Sequence, residues 1–240
     1  MDPNTIFNKI DENESQLCVG LDFREGNKLD LAKQVIEETA EYAVAYKPNR
    51  QFWLGYNLKE MQELTRYIKK YNCIAIIDHK LSDIGSSSVE ALKYSKKEGF
   101  DLITISPYPG NFEEMCVASK EIGIGIIALI MMSNPQAKWM LNSPYLEWAK
   151  IANTHKTGIV IGTTNHVTKD IISSISEVFN SGIVLAPGLG TQGGKVDTLL
   201  KYFDKKIMFN VSRGIIYAKN YSIAAEGYNN QISEARKALN

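Results

Sequence analysis

Five charged residues, Asp22, Lys47, Asp78, Lys80 and Asp83, each follow closely on a short apolar run. Asp78 and Lys80 sit in Ile77-Asp78-His79-Lys80-Leu81-Ser82-Asp83. In a strand, side chains two apart point the same way, so Asp78 and Lys80 are expected on one face. A buried Asp–Lys salt bridge is the plain structural reading of an isolated Asp-x-Lys. Buried charge is costly and stabilises little by itself, however, so several such groups converging on one site point to chemistry. Charges of alternating sign held close shift one another's pKa and create a strong local field.

A second group suits an anion. Pro187-Gly188-Leu189-Gly190-Thr191-Gln192-Gly193-Gly194 has four glycines within seven residues, and Ser212-Arg213-Gly214 follows the last apolar run. Glycine permits positive φ and lets backbone N–H groups approach a phosphate. Arg213 offers a bidentate guanidinium to the same anion and Gln192 a neutral donor. A Gly-rich loop alone reads equally well as a flexible turn; with Arg213 it points to a phosphorylated substrate. Ser133 and Asn134 follow the fifth apolar run. His79, His155 and His166 lack metal-ligand spacing, and His79 should face away from Lys80. Tyr108 and the Met131-Met132 pair read as packing. No P-loop lysine, dinucleotide-binding glycine motif or nucleophile elbow is found.

The elements that must position these groups alternate. Apolar, β-branched-rich runs occur at Leu17–Leu21, Tyr42–Tyr46, Cys73–Ile77, Leu102–Ile105, Ile122–Met131, Thr157–Ile161, Gly182–Ala186 and Lys206–Val211. Their near-continuous apolarity fits parallel strands buried on both faces. Helical periodicity fills the gaps at Leu29–Glu41, Leu58–Lys70, Val89–Gly99, Phe112–Glu121, Pro144–Asn153, Lys169–Ser181 and Lys195–Phe203, with a last helix over Tyr221–Leu239. Ser143 and Pro144 read as N-cap and first helical residue, and Gly99 as the residue just past a helix end. Eight strand–helix units predict an α/β protein, a (β/α)8 TIM barrel forming one domain over residues 1–240, with an open doubly wound sheet as the alternative. Active sites of such barrels lie at the C-terminal strand ends, and the loops after strands 7 and 8 commonly take phosphate.

Composition narrows the function. The 240 residues are 44% hydrophobic and 22% charged, enough apolar content for a core. Lys+Arg and Asp+Glu are 27 each, so no basic excess marks a nucleic-acid or membrane-surface binder. Cys18, Cys73 and Cys116 form no CxxC pair and read as reduced, buried thiols. The start, Met-Asp-Pro-Asn-Thr, has no leader pattern, and the longest apolar run, about eleven residues, is too short to span a bilayer. A soluble, cytoplasmic enzyme is expected.

In their order along the chain, these motifs resemble the orotidine 5′-monophosphate decarboxylase family. The likeness is carried by Val19-Gly20-Leu21-Asp22, Tyr46-Lys47-Pro48-Asn49, Asp78-His79-Lys80-Leu81-Ser82-Asp83-Ile84-Gly85, Ala128-Leu129-Ile130-Met131-Met132-Ser133, the glycine loop, and Val211-Ser212-Arg213-Gly214-Ile215. It spans about residues 17 to 216. Asp-x-Lys-x-x-Asp is shared across a wider suprafamily; the glycine loop with the later Arg is more specific. The sugar-phosphate branch of that suprafamily uses a divalent metal and carries Glu where Lys47 stands, and a charged lysine cannot ligate magnesium. This chain has Ser86-Ser87 where many members carry Asn-Thr, and Val-Ser-Arg-Gly where Val-Gly-Arg is common.

The resemblance implies decarboxylation of orotidine 5′-monophosphate to UMP, the last step of de novo pyrimidine synthesis, with neither cofactor nor metal. Lys80 would stabilise charge at C6 and protonate it, with Asp78, Lys47 and Asp83 in the charged network. Asp22 and Asp83 would accept from ribose hydroxyls, and Ser87 would stand in for the family's threonine. Ser133 would read the pyrimidine amide edge. Pro187, Gly188, Gln192, Gly193, Ser212, Arg213 and Gly214 would bind substrate around its phosphate. The residue matching Asp83 reaches the partner protomer's site, which implies a homodimer with composite sites. A phosphosugar isomerase or epimerase with Asp78 as base, and a nucleotide-binding module without activity, are the competing readings.

Overall fold

The computed structural model describes residues 1–164, 166–189 and 196–239. Eight parallel strands close into a barrel in sequence order: β1 (Leu17–Gly20), β2 (Ala45–Lys47), β3 (Ile74–Leu81), β4 (Leu102–Ile105), β5 (Gly125–Met131), β6 (Gly158–Ile161), β7 (Val184–Pro187) and β8 (Ile207–Val211). Closure is made by β1 on β8, with Leu17 opposite Phe209 and Val19 opposite Val211. The open-sheet alternative is excluded, and the fold is a (β/α)8 barrel.

Alternation along the strands divides the apolar residues in two. Cys18, Ala45, Ile74, Ile76, Leu102, Ile127, Val160 and Met208 fill the barrel interior, while Leu17, Val19, Ala75, Ile77 and Ile103 face outward against the helices. The same alternation carries β2 from Ala45 to Lys47, β3 from Ile76 to Asp78 and β4 from Leu102 to Thr104. An apolar column therefore ends in polar groups at the C-terminal mouth.

The outer layer comprises α2 (Lys28–Thr39), α3 (Leu58–Lys70), α4 (Gly85–Lys97), α5 (Phe112–Ile122), α6 (Tyr145–His155), α7 (Lys169–Val178) and α8 (Val196–Phe203). After β8 the chain makes a short helix over Arg213–Ile216 and a long one over Tyr221–Lys237. Helix α3 has the bounds read from periodicity because its ends are chemically marked. Asn57 and Glu60 close a capping box, and Lys69 and Lys70 complement the C-terminal dipole. Gly99, with φ at +95°, follows the end of α4 as expected. Helix α6 instead begins at Tyr145, because the 3-10 segment Pro135–Asn142 ends on Ser143 and leaves Pro144 as the cap.

An N-terminal helix, α1 (Pro3–Glu12), was not expected from periodicity. It closes the barrel bottom by burying Ile6 and Ile10 against the interior column, each removal from water contributing roughly 2 kcal/mol. No helix among the described residues is long and apolar enough to cross a membrane.

Candidate active site

Lys47 ends β2, and Asp78 stands beside it on β3. Lys47 Nζ donates to Asp78 Oδ2 at 2.8 Å, and Lys80 Nζ reaches Asp78 Oδ1 at 2.7 Å. Burial alone would push the Asp78 carboxyl up. Lys47 and Lys80 outweigh it and hold the group well below the usual carboxylate range. Burial alone would pull the Lys47 ammonium down, yet the Asp78 and Asp22 carboxylates raise it. The result is a fixed row of charges, cation–anion–cation, with Lys80 at the open end: its side chain is 40% exposed.

Asp78 reaches the interior face by the alternation read from the sequence; Lys80 does not. Five residues of β3, Ile77 to Leu81, stand opposite only three of β4, Ile103 to Ile105, so the strand bulges there. Lys80 has φ at +53°, the left-handed region that non-glycine residues rarely adopt. The lysine is thus swung onto Asp78 by a bulge, not by an i, i+2 repeat. Burial and the nearby Arg50 lower the pKa of His79 between them.

Asp22 follows β1, where its Oδ1 accepts the Asn49 N–H at 3.2 Å and its charge bears on Lys47. Asp83 departs from the expected network. It is exposed, and its carboxylate accepts the N–H of its neighbour Ile84 at 2.8 Å instead of joining Lys47, Asp78 and Lys80. Its backbone carbonyl is pinned by Ser88 Oγ at 2.6 Å and Asn111 Nδ2 at 3.2 Å. Ser87 is exposed in the first turn of α4.

The anion-binding candidates are partly placed. Arg213 opens the short helix after β8, is exposed, and lines a cleft of about 580 Å³ with Arg24, Tyr217 and Tyr221. Ser212 packs so tightly on Gly20 that a Cβ there would lie 2.7 Å from the serine Cβ, and a Cβ on Gly214 would clash with the Tyr228 hydroxyl. Pro187 ends β7, its carbonyl accepting from Thr163 Oγ1 at 3.0 Å, and Gly188 has φ at +113°. Gln192 and Gly193 lie outside the described residues. Ser133 follows β5 against Gly162, where any Cβ would meet the Ser133 Cα at 2.6 Å.

Two features escaped the sequence reading. Thr104, a single hydroxyl in Leu102-Ile103-Thr104-Ile105, is fully buried and donates to Asp78 Oδ1 at 2.8 Å. The signal was that lone polar residue at an interior position. Tyr108, read as packing, is 71% exposed and meets Trp139 edge-on at 5.9 Å. Tyr108 and Trp139 border a cleft of about 410 Å³ that includes Lys80, Leu129 and Met132. Among the described residues no three His, Cys, Asp or Glu side chains are grouped to hold a metal.

The sequence model of the orotidine 5′-phosphate decarboxylase / HUMPS family matches residues 15–228, nearly the whole barrel and the site just described. The chain belongs to this family. An orotidine 5′-phosphate decarboxylase of Thermomicrobium roseum is 31% identical over 242 residues, 87% of this chain and 84% of its own length. One of Bacteroides fragilis is 28% identical over 271 residues, 98% of this chain and 96% of its own. The structure of Leishmania donovani OMP decarboxylase superposes with a TM-score of 0.84 at 23% identity, covering 99% of this chain and all of that one, which speaks to the fold. Lys47, hydrogen-bonded to Asp78, lies within the stretch that the family model matches.

Proposed function

We propose that this protein decarboxylates orotidine 5′-monophosphate to UMP and CO2. The observation that carries the reading is Asp78 gripped by Lys47 and Lys80 at the barrel mouth of a family member. Breaking the bond from C6 to the carboxylate leaves its electron pair on C6, with no adjacent carbonyl to accept it. Fixed charge must then do the stabilising. Lys80, at the exposed end of the row, is the group to face that carbanion and to deliver its Nζ proton to C6. Asp78 holds the lysine in place, and Lys47 keeps Asp78 ionised beneath it. Lys47 also speaks against the metal-dependent sugar-phosphate branch, because an ammonium bound to Asp78 offers no lone pair to magnesium.

Remote binding would supply the rest. The phosphate is assigned to Arg213, Gln192 and the N–H groups around Gly188 and Gly193, bordered by Pro187, Ser212 and Gly214. Asp22 is assigned to a ribose hydroxyl and Ser133 to the pyrimidine edge. Asp83 and Ser87 are exposed beside Ile84, itself 61% exposed, and the Asp83 carboxylate bonds the Ile84 N–H instead of its own chain's charge row. That placement supports a homodimer in which each Asp83 completes its partner's site. Three buried free cysteines, each with burial pushing its thiol up to about 12, suit a reducing cytoplasm.

Metal-free, chelator-treated protein is expected to consume orotidine 5′-monophosphate in a continuous absorbance assay. No loss of substrate absorbance, or turnover only after a divalent metal is added, would overturn the reading.

A further inference from the structure

Thr104 is the one polar residue of β4, and its hydroxyl has two bonds. It accepts the backbone N–H of Lys80 at 2.9 Å and donates to Asp78 Oδ1 at 2.8 Å. The directions are forced. The Lys80 amide can only donate, so the single hydroxyl proton of Thr104 is left for the carboxylate. Asp78 Oδ1 is also the oxygen that holds Lys80 Nζ. One buried hydroxyl therefore ties both ends of the same lysine: its backbone directly, its ammonium through Asp78.

We infer that Thr104 is the positioning residue for Lys80, a latch reaching from β4 that fixes the β3 bulge and so aims the ammonium into the mouth. Three observations require such a latch. The bulge takes residues of β3 out of register with β4, so the Lys80 N–H is received by a side chain. Lys80 is in the left-handed region, a conformation that persists only where its surroundings hold it. Thr104 is 1% exposed, so no bulk water competes for its hydroxyl, and its branched Cβ restricts the rotamer that reaches both partners. The hydroxyl is therefore a fixed reference against which catalytic geometry is set. This rests on the decarboxylase reading of the site, but its test does not stand or fall with it.

The experiment compares Thr104→Val, which keeps the shape and removes the hydroxyl, with Thr104→Ser, which keeps the hydroxyl. Each is read for kcat on orotidine 5′-monophosphate, for UMP affinity, and for hydrogen exchange at the Lys80 amide. The valine variant should lose kcat about 10- to 100-fold while its UMP Kd changes less than about threefold. The serine variant should recover to within about fivefold of wild type. The Lys80 amide should be protected in wild type and the serine variant and lose protection in the valine variant. Should valine fail to fold, Thr104→Ala takes the same readouts, with the same separation of kcat from UMP affinity expected. Equal losses in valine and serine, a valine variant with more than half of wild-type kcat, a UMP affinity that falls with kcat, or unchanged exchange at Lys80 would each overturn the latch. An inactive wild type would sink the decarboxylase reading instead, and the exchange measurement would still decide the latch.

Discussion

Lys47 donates to Asp78 across 2.8 Å with only 6% and 11% of the two side chains exposed. Burial opposes both charges; Lys47 with Lys80 holds Asp78 ionised, and Asp78 with Asp22 does the same for Lys47. Asp78 is lowered, so its contribution to stability is present above its unfolded pKa, about 4, and is lost as pH falls further. Lys47 is raised, so its contribution is present below its unfolded pKa, about 10.4, and is lost as pH rises beyond it.

Removing one partner should be worse than removing both. Asp78→Ala leaves Lys47 buried without its hydrogen-bonded carboxylate and should cost roughly 3–5 kcal/mol in urea denaturation. Lys47→Met with Asp78→Leu should recover most of that loss and stay inactive. The stability difference between wild type and the double variant should be flat from about pH 5 to 9 and change outside that range. An Asp78→Ala loss under about 1 kcal/mol would contradict the buried pair.

Lys80→Ala should abolish turnover by several orders of magnitude while leaving the melting temperature near wild type, because the side chain is partly exposed and Asp78 keeps Lys47. A variant retaining a tenth of wild-type kcat/KM, a loss of only about 1.4 kcal/mol, removes Lys80 from the chemistry.

The exposed Asp83 makes a specific demand on assembly. Inactive Lys80→Ala and inactive Asp83→Ala protomers, mixed and allowed to exchange, should regain part of the activity through hybrids with one intact site. Exchange confirmed by mass without recovered activity would count against a shared site.

Arg213→Ala should cost roughly 2–5 kcal/mol in kcat/KM, as loss of a charged partner does, and Arg213→Lys should restore part of it. Guanidinium ion in solution should rescue the alanine variant. On orotidine lacking the phosphate, wild type and Arg213→Ala should react at nearly equal rates. A large difference there would place Arg213 in the fold or the reacting centre instead of the phosphate site.

Cys18, Cys73 and Cys116 should resist a thiol reagent at pH 8 in the native protein and react together on unfolding, since burial pushes each up to about 12. Rapid native labelling of any one would show that its strand or helix opens locally.

Much of this protein was legible before folding because the relevant physics is local. Continuous apolar runs separated by 3.6-residue periodicity specify strands between helices, and Asn57, Glu60 and Lys70 mark the ends of α3 by capping chemistry that acts within one turn. Lys47 and Asp78 were identified by being charged where an interior strand face ends. Helix α1 was missed because its apolar residues are few, and only the open barrel bottom gives Ile6 and Ile10 something to cover. Three further facts belonged to the tertiary structure: that Lys80 arrives by a bulge, that Thr104 bonds its backbone, and that Asp83 is exposed outside the charge row. Each depends on which residues of another strand, helix or loop lie opposite. Register between β3 and β4, and the reach of Asn111 to the Asp83 carbonyl, are long-range relations that no spacing within one segment encodes.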